Sequence, residues 1–321
     1  MSTTFLSVII PVYNEKESLP ELISKLRSFF SKFHKSYEVI FIDDGSTDES
    51  FTTLKNLISQ DTQYKLIRLR KNFGQTTALT CGIDHAQGEI LVPLDSDLEN
   101  DPEDIPRLLE KIQEGYDIVS GWRKNRWKEK MLTRRMTSLA ANWIISKVSG
   151  IGLHDFGCSL KAYRMEILRD IKIYGEMHRF IPALAAWQGA RVAEIEVSYA
   201  PRKYGRSNYG LNRIFKVLLD LVTLKFLNDY SLKPIYFFGK IGFVSFCFGI
   251  LVFIWATYYK LAGQKDYIQT PLPVIMVLFL VVGIILILIG LLAEMVMRMY
   301  HETGNRPRYF IKEKLHVDNK P

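Results

Sequence analysis

Two carboxylates separated by one residue, Asp95 and Asp97, directly follow the apolar run 90–94. Alternate side chains of an extended backbone lie on one face, so both carboxylates can point into one crevice. Oxygen ligands of this kind suit a hard divalent cation such as Mg²⁺ or Mn²⁺. The pair therefore predicts a metal site; a solvated acidic loop is the alternative.

The elements around this pair alternate between strand-like and helix-like patterns, which predicts an α/β fold with a mostly parallel sheet. In such sheets ligands bind at the carboxyl ends of the strands. The polar turns at 11–15 and 43–46 fall on that edge, together with the Asp95 pair. The predicted strands are 6–11, 37–42, 64–69 and 90–94, with a strand end at 119–121, and the predicted helices are 18–33, 48–59 and 75–86.

Two long apolar segments, 241–259 and 271–293, carry no charged residue. Each is long enough to cross roughly 30 Å of hydrocarbon as a helix. Basic residues flank the outer ends of the pair, which predicts that both ends face the cytoplasm. Glycines in or beside the segments would allow close helix contacts and make a homo-oligomer plausible.

The predicted domains are therefore a cytoplasmic catalytic domain, a connecting helix, a hairpin and a tail. Residues 127–148 and 209–232 have amphipathic patterns, for which we weigh a helix in the membrane interface against an ordinary surface helix. The corresponding ranges are 1–208 for the catalytic domain, 209–232 for the juxtamembrane amphipathic helix, 233–298 for the transmembrane hairpin and 299–321 for the basic tail.

The formal net charge of +8 indicates an anionic partner such as a lipid headgroup or a polyphosphate. The basic residues cluster beside amphipathic segments and match no nucleic-acid-binding module, which argues against nucleic acid. The three cysteines are far apart in sequence, without the spacing of a zinc site or a disulfide framework.

The motifs at 11–15 (PVYNE), 43–46 (DDGS) and 95–97 (DSD) occur in this order. Together they resemble the family-two inverting glycosyltransferases, whose GT-A fold is a Rossmann-like nucleotide-sugar-binding domain. Arg123, the segment 155–161 and the two apolar segments are similar to the polyprenyl-phosphate branch of that family. This branch includes bactoprenol glucosyltransferases and dolichyl-phosphate mannose synthases.

The resemblance implies a nucleotide-sugar donor and a bound Mg²⁺ or Mn²⁺ that neutralises the leaving diphosphate. Asp97 would be the principal metal ligand, and Asp95 would face the ribose or the metal. Turn geometry alone is the alternative explanation for the polar turns. By the same resemblance, the residues that bind the nucleotide sugar would be Pro11, Tyr13, Glu15, Asp43, Asp95, Arg202 and Arg206.

The acceptor in this branch is a lipid phosphate, which is already an anion and needs positioning by cations more than a strong general base. The predicted catalytic residues are Asp95, Asp97 and Asp155. By the resemblance, Asp155 would contact the sugar hydroxyls or the acceptor, with a helix cap as the alternative. A basic face that attracts anionic lipid is the alternative role for the arginines. The candidates for binding the acceptor phosphate are Arg123, Arg126, Arg134 and Arg135.

The expected activity is transfer of one hexose, with UDP-glucose favoured as donor, onto undecaprenyl or another polyprenyl phosphate at the inner membrane. GDP-mannose and UDP-linked amino sugars are the alternative donors. The Gln-x-x-Arg-Trp motif of processive synthases is not matched at 188–192, where Val192 stands in place of Trp. A non-catalytic membrane adaptor that binds a nucleotide is the alternative from a different class.

Overall fold

The computed structural model describes residues 4–127, 142–143, 145–171, 177–204, 233–263, 265–302 and 309–317, with the single positions 219, 223, 225, 226, 229 and 230. The chain forms two compact units. One unit combines Met1–Val222 with Pro307–Pro321, and the other is Thr223–Arg306.

The first unit is built on an eight-stranded sheet with the order β7-β5-β6-β4-β1-β2-β3-β8. The four adjacent strands β4, β1, β2 and β3 are parallel, whereas β6 and β8 run antiparallel to their neighbours. The strands are β1 Leu6–Val12, β2 Tyr37–Asp43, β3 Tyr64–Leu69, β4 Ile90–Pro93, β5 Ile118–Trp122, β6 Lys161–Arg164, β7 Val192–Glu196 and β8 Ile311–Leu315.

Helices cover both faces of this sheet, which explains why its central strands are apolar on both sides. On β1, Val8 and Ile10 pack with α1, α2 and α4, while Ile9 between them packs with α3, α5 and α6. The helices are α1 Leu19–Ser31, α2 Ser50–Ile58, α3 Gln75–His85, α4 Ile105–Gln113, α5 Met165–Asp170 and α6 Ile181–Trp187.

The predicted α/β class with a mostly parallel sheet is confirmed. The end of the chain differs from the simple basic tail expected at 299–321, because Ile311–Leu315 adds β8 to the free edge of β3. Three consecutive charged residues between Ile311 and Leu315 suit an edge strand, and Lys55 Nζ lies 2.6 Å from Glu313 Oε1. Such a short, highly charged segment has too few apolar residues to stand out in sequence.

The second unit is a hairpin of two long helices, α7 Pro234–Leu261 and α8 Leu272–Glu302. Both are long and apolar enough to cross a membrane. The first contains the predicted segment 241–259, and the second begins one residue after the start of the predicted segment 271–293 and contains the rest of it. The helices pack closely: a Cβ on Gly242 would meet the Gly283 carbonyl oxygen at 2.7 Å. Ser245 Oγ also donates a hydrogen bond to the Phe279 carbonyl at 2.8 Å.

The two predicted amphipathic segments lie largely outside the described residues. Within the first, 145–149 is helical. The predicted helix at 209–232 is described only at scattered positions.

Candidate active site

A cavity of about 590 Å³ is bordered by the loops that follow β1, β2 and β4, as the parallel sheet predicts. Asp43, Arg126 and Asp155 are not among its lining residues. Arg134, Arg135 and Arg206 lie outside the described residues. The predicted residues that do line the cavity are Pro11, Tyr13, Glu15, Asp95, Asp97, Arg123 and Arg202.

The turn after β1 is tied to the turn after β2 by hydrogen bonds. Asn14 has φ 55°, a left-handed conformation that asparagine tolerates. Its Oδ1 accepts the Thr47 N–H at 2.9 Å, and its own N–H donates to Ser46 Oγ at 3.0 Å. The Tyr13 side chain is held beside the cavity with 44% of its surface exposed, so its ring is available to a ligand.

Of the two aspartates after β2, Asp44 lines the cavity and Asp43 does not. Asp43 is fully buried and pairs in register with Arg68 of β3, whose Nε lies 3.1 Å from Asp43 Oδ2. The Asp44 carboxylate accepts the N–H groups of Phe73 and Gly74, each at 2.8 Å. Sequence reasoning chose Asp43 for the nucleotide site, but the cross-strand ion pair turns that side chain away from the lining.

Asp95, Asp97 and Glu99 form an acidic cluster at the end of β4. Gln75 Nε2 donates to Asp95 Oδ1 at 2.9 Å, and the Glu99 N–H donates to Asp97 Oδ1 at 3.1 Å. Burial, followed by the charges of Asp95 and Glu99, raises the pKa of Asp97 to about 7. Negative charge is therefore undercompensated here, which is the condition that a bound divalent cation relieves.

The carboxylates present also fit a cation that takes some of its ligands from the protein and the rest from a substrate. Within the described ranges, no group of three or more His, Cys, Asp or Glu side chains is arranged to hold a metal alone. Cations such as Mg²⁺ commonly use one or two carboxylates and complete their coordination with substrate phosphates and water. Asp95 and Asp97 match that pattern.

Arg202 joins the loop after β7 to this acidic edge. Its guanidinium contacts the Glu15 carboxylate, and its Nε lies 4.0 Å from Asp97 Oδ2. Burial raises the pKa of Glu15, while Arg202 opposes that rise. The predicted nucleotide-binding residues Glu15 and Arg202 are thus brought together by tertiary structure.

Arg123 is 3% exposed and is held by two carboxylates. Its Nε lies 2.9 Å from Asp155 Oδ2, and its Nη1 lies 3.2 Å from Glu99 Oε2. Burial favours the neutral form of Asp155, but Arg123, then Arg126 and Lys161, outweigh it, so the pKa of Asp155 is lowered. Asp155 therefore stays ionised and orients Arg123, and contact of Arg123 with an acceptor remains a prediction.

Three basic residues on the cavity wall were missed by sequence reasoning: Lys161, His178 and Arg179. Lys161 Nζ donates to the Phe156 carbonyl at 3.2 Å and also contacts the Cys158 carbonyl. The His178 ring lies 2.7 Å from Thr76 Oγ1. Lys161 ends the segment 155–161 that carries part of the resemblance, but it was given no role there. A His-Arg pair before a short apolar helix is too common a pattern to indicate a site, so no local signal identified His178 and Arg179.

Comparison with known proteins agrees with this geometry. The family model for glycosyl transferase family 2 matches residues 7–172. The chain is 35% identical to a dodecaprenyl-phosphate galacturonate synthase of Rhizobium johnstonii, over 96% of this chain and 92% of that protein. It is 37% identical to an undecaprenyl-phosphate 4-deoxy-4-formamido-L-arabinose transferase of Klebsiella pneumoniae, over 95% and 92%.

A solved structure shares the fold. Glucosyl-3-phosphoglycerate synthase of Mycobacterium tuberculosis, crystallised with Mn²⁺, UDP and its product, superposes with a TM-score of 0.54 at 17% identity. The match covers 70% of this chain and 80% of that chain, which supports the GT-A fold. From the matched motifs, the sheet and the relatives over nearly the whole chain, this protein belongs to glycosyl transferase family 2.

Proposed function

We propose that this protein transfers one sugar from a nucleotide sugar to a polyprenyl phosphate at the cytoplasmic face of the inner membrane. The observation that carries the proposal is the acidic cluster of Asp95, Asp97 and Glu99 in the cavity at the strand ends. The names of the two relatives support a polyprenyl-phosphate acceptor. The two helices long enough to span a membrane would keep the enzyme beside such a lipid.

In this proposal, an oxygen of the acceptor phosphate attacks the anomeric carbon, and the bond from that carbon to the nucleoside diphosphate breaks with inversion. Asp95 and Asp97 would hold Mg²⁺ or Mn²⁺, which as a Lewis acid stabilises the charge on the departing diphosphate. Tyr13 offers its ring to the base, and Arg202 stands where it can approach the diphosphate.

The acceptor needs no strong base because its phosphate is already ionised near neutral pH. Asp155 accordingly serves as an orienting carboxylate: its ion pair with Arg123 fixes a guanidinium on the cavity wall. An ionised, salt-bridged carboxylate is a weak proton acceptor, which agrees with its lowered pKa.

The identity of the sugar stays open among defined candidates. UDP-glucose was predicted from resemblance, but the relatives' names contain galacturonate and 4-deoxy-4-formamido-L-arabinose. The formamido sugar partly agrees with the UDP-amino-sugar alternative. We therefore include UDP-glucose, UDP-galacturonate, the UDP-linked formamidoarabinose and GDP-mannose as candidate donors.

The test offers each radiolabelled donor to the full-length protein in nanodiscs with undecaprenyl phosphate and Mn²⁺, and follows label in the lipid extract. We expect one donor to label the lipid, with EDTA and Asp97→Asn both abolishing transfer. Glu114→Gln, which changes an exposed carboxylate directly after α4 that is not among the lining residues of the cavity, is the matched control. Nucleotide binding without product from any donor would favour the adaptor alternative.

A further inference from the structure

Besides its acidic cluster, the cavity wall carries a basic cluster of Lys161, His178 and Arg179. Lys161 begins β6, and the other two belong to the short 3-10 helix Met177–Phe180. Burial, followed by the charges of Arg179 and Lys161, lowers the pKa of His178 to about 3. The three groups therefore lie within electrostatic reach of one another.

The members of this cluster differ in how their polar atoms are used. The Lys161 ammonium donates to backbone carbonyls, and His178 is bonded to Thr76. Arg179 Nε, by contrast, is buried and has no hydrogen-bond partner. Across the part of the chain that the structure describes, the Arg179 guanidinium also forms no ion pair, whereas Arg123 and Arg202 on the same wall are both paired with carboxylates.

Arg179 is half-buried and its Nε is inaccessible to solvent. A partly desolvated guanidinium without a counter-ion costs free energy, so such an arrangement is expected where a ligand supplies the missing anion. The planar fork of arginine matches the paired oxygens of a phosphate or a carboxylate. The neighbouring Lys161 adds to the positive potential at this wall. Among the described residues, no carboxylate forms an ion pair with Arg179.

We infer that Arg179 binds an oxyanionic group of a reactant other than the diphosphate. Two reactant groups have this chemistry: the phosphate of the lipid acceptor and the carboxylate of a uronic-acid donor. This inference rests on the proposed function, in which the acidic cluster and its cation receive the diphosphate.

The test measures equilibrium binding to the full-length protein in detergent with Mn²⁺. The probes are UDP, UDP-galactose, UDP-galacturonate and a short polyprenyl phosphate. UDP-galactose and UDP-galacturonate differ in the carboxylate, so that pair isolates the sugar's charge. The variants are Arg179→Met, which removes the charge, and Arg179→Lys, which keeps it. Arg169→Met, at an exposed arginine of α5 away from the cavity lining, is the matched control.

We expect Arg179→Met to weaken binding of either the polyprenyl phosphate or UDP-galacturonate by about 10- to 100-fold, the usual range for a hydrogen bond to a charged group. Binding of UDP and UDP-galactose should not change, and Arg179→Lys should restore part of the loss. Without ligand, the Tm of Arg179→Met should equal or exceed that of the wild type, because a half-buried charge that has no ion pair within the described residues is removed.

Equal affinity of wild type and Arg179→Met for both oxyanionic probes would overturn the inference. An equal loss of affinity of Arg179→Met for UDP and UDP-galactose would place Arg179 at the diphosphate instead. A lowered Tm of this variant would assign Arg179 a structural role, and either result contradicts the proposal. A wild-type protein that binds UDP but neither oxyanionic probe also overturns it. Failure of the wild type to bind any nucleotide would instead count against the proposed function.

Discussion

Replacing Asp97 with asparagine should abolish transfer and, without added metal, stabilise the fold. The Asp97 carboxylate has a pKa raised from 3.8 to about 7 by burial and by Asp95 and Glu99. The folded state therefore binds this proton more tightly than the unfolded state. The stability that Asp97 contributes is fully present below pH 3.8, falls as the pH rises towards 7, and is lost above that value.

The size of the expected change in stability follows from the raised pKa of Asp97. A rise of about 3 pKa units corresponds to about 4 kcal/mol of unfavourable free energy once the carboxylate is ionised. The side chain is 15% exposed, so solvent screening reduces this little. At 2–4 °C per kcal/mol for a domain of this size, asparagine should raise the Tm by about 8–16 °C at pH 8. The amide oxygen of asparagine can still accept the N–H of Glu99.

The assay is thermal unfolding of the full-length protein in detergent with EDTA, at intervals from pH 5 to pH 8.5. The Tm difference between Asp97→Asn and wild type should widen up to about pH 7 and then stay constant. Glu114→Gln controls for a general change of charge. Added Mn²⁺ should raise the Tm of the wild type only. A variant no more stable than wild type at pH 8, or equally stabilised by Mn²⁺, would refute the reasoning.

Three further outcomes are expected. Arg123→Met should lower the free energy of unfolding by about 3–5 kcal/mol, because it leaves buried carboxylates without their cation. The readout is a large drop in Tm, and an unchanged Tm would contradict the ion-pair role. Phe310→Ala should raise the KM for the nucleotide sugar several-fold with little change in kcat, because it removes the ring that contacts Phe73 in the loop after β3, a loop whose Asn72 and Gly74 line the cavity. An unchanged KM would argue against this. Gly242→Val should disrupt the hairpin and reduce the yield of folded protein. Gly239→Ala should be tolerated, because a Cβ at that position would have its nearest neighbour 3.7 Å away. Equal yields of the two variants would count against close packing.

Much of the fold was predictable because the signals are local. The third strand was predicted at 64–69, the range that the structure shows, and the helix starting at Gln75 was placed to within one residue. Alternating strands and helices with short turns imply a parallel sheet. The C-terminal segment was not predictable in this way, because β8 is short and charged. It pairs with β3, which lies more than 200 positions earlier in the sequence, with both apolar helices between them.

The site shows the same division. Asp95 and Asp97 were identifiable from their position after a buried strand, and the polar turn at 11–15 from its motif. The sequence did not predict whether a given charged side chain is available to a ligand, because that depends on partners that are distant in sequence. Arg123 is neutralised by Asp155, 32 positions away, and Arg202 by Glu15, 187 positions away.

By itself, then, the sequence determined the α/β class, the acidic strand end and two apolar helices, since periodicity and turn chemistry are properties of neighbouring residues. The tertiary structure decided that Asp44 rather than Asp43 lines the cavity, that Asp155 is bound to Arg123, and that the chain's end completes the sheet. It also brought Arg179 to the cavity wall, where no carboxylate of the described residues forms an ion pair with it. The physical reason is that burial and ion pairing are set by residues that only folding brings together.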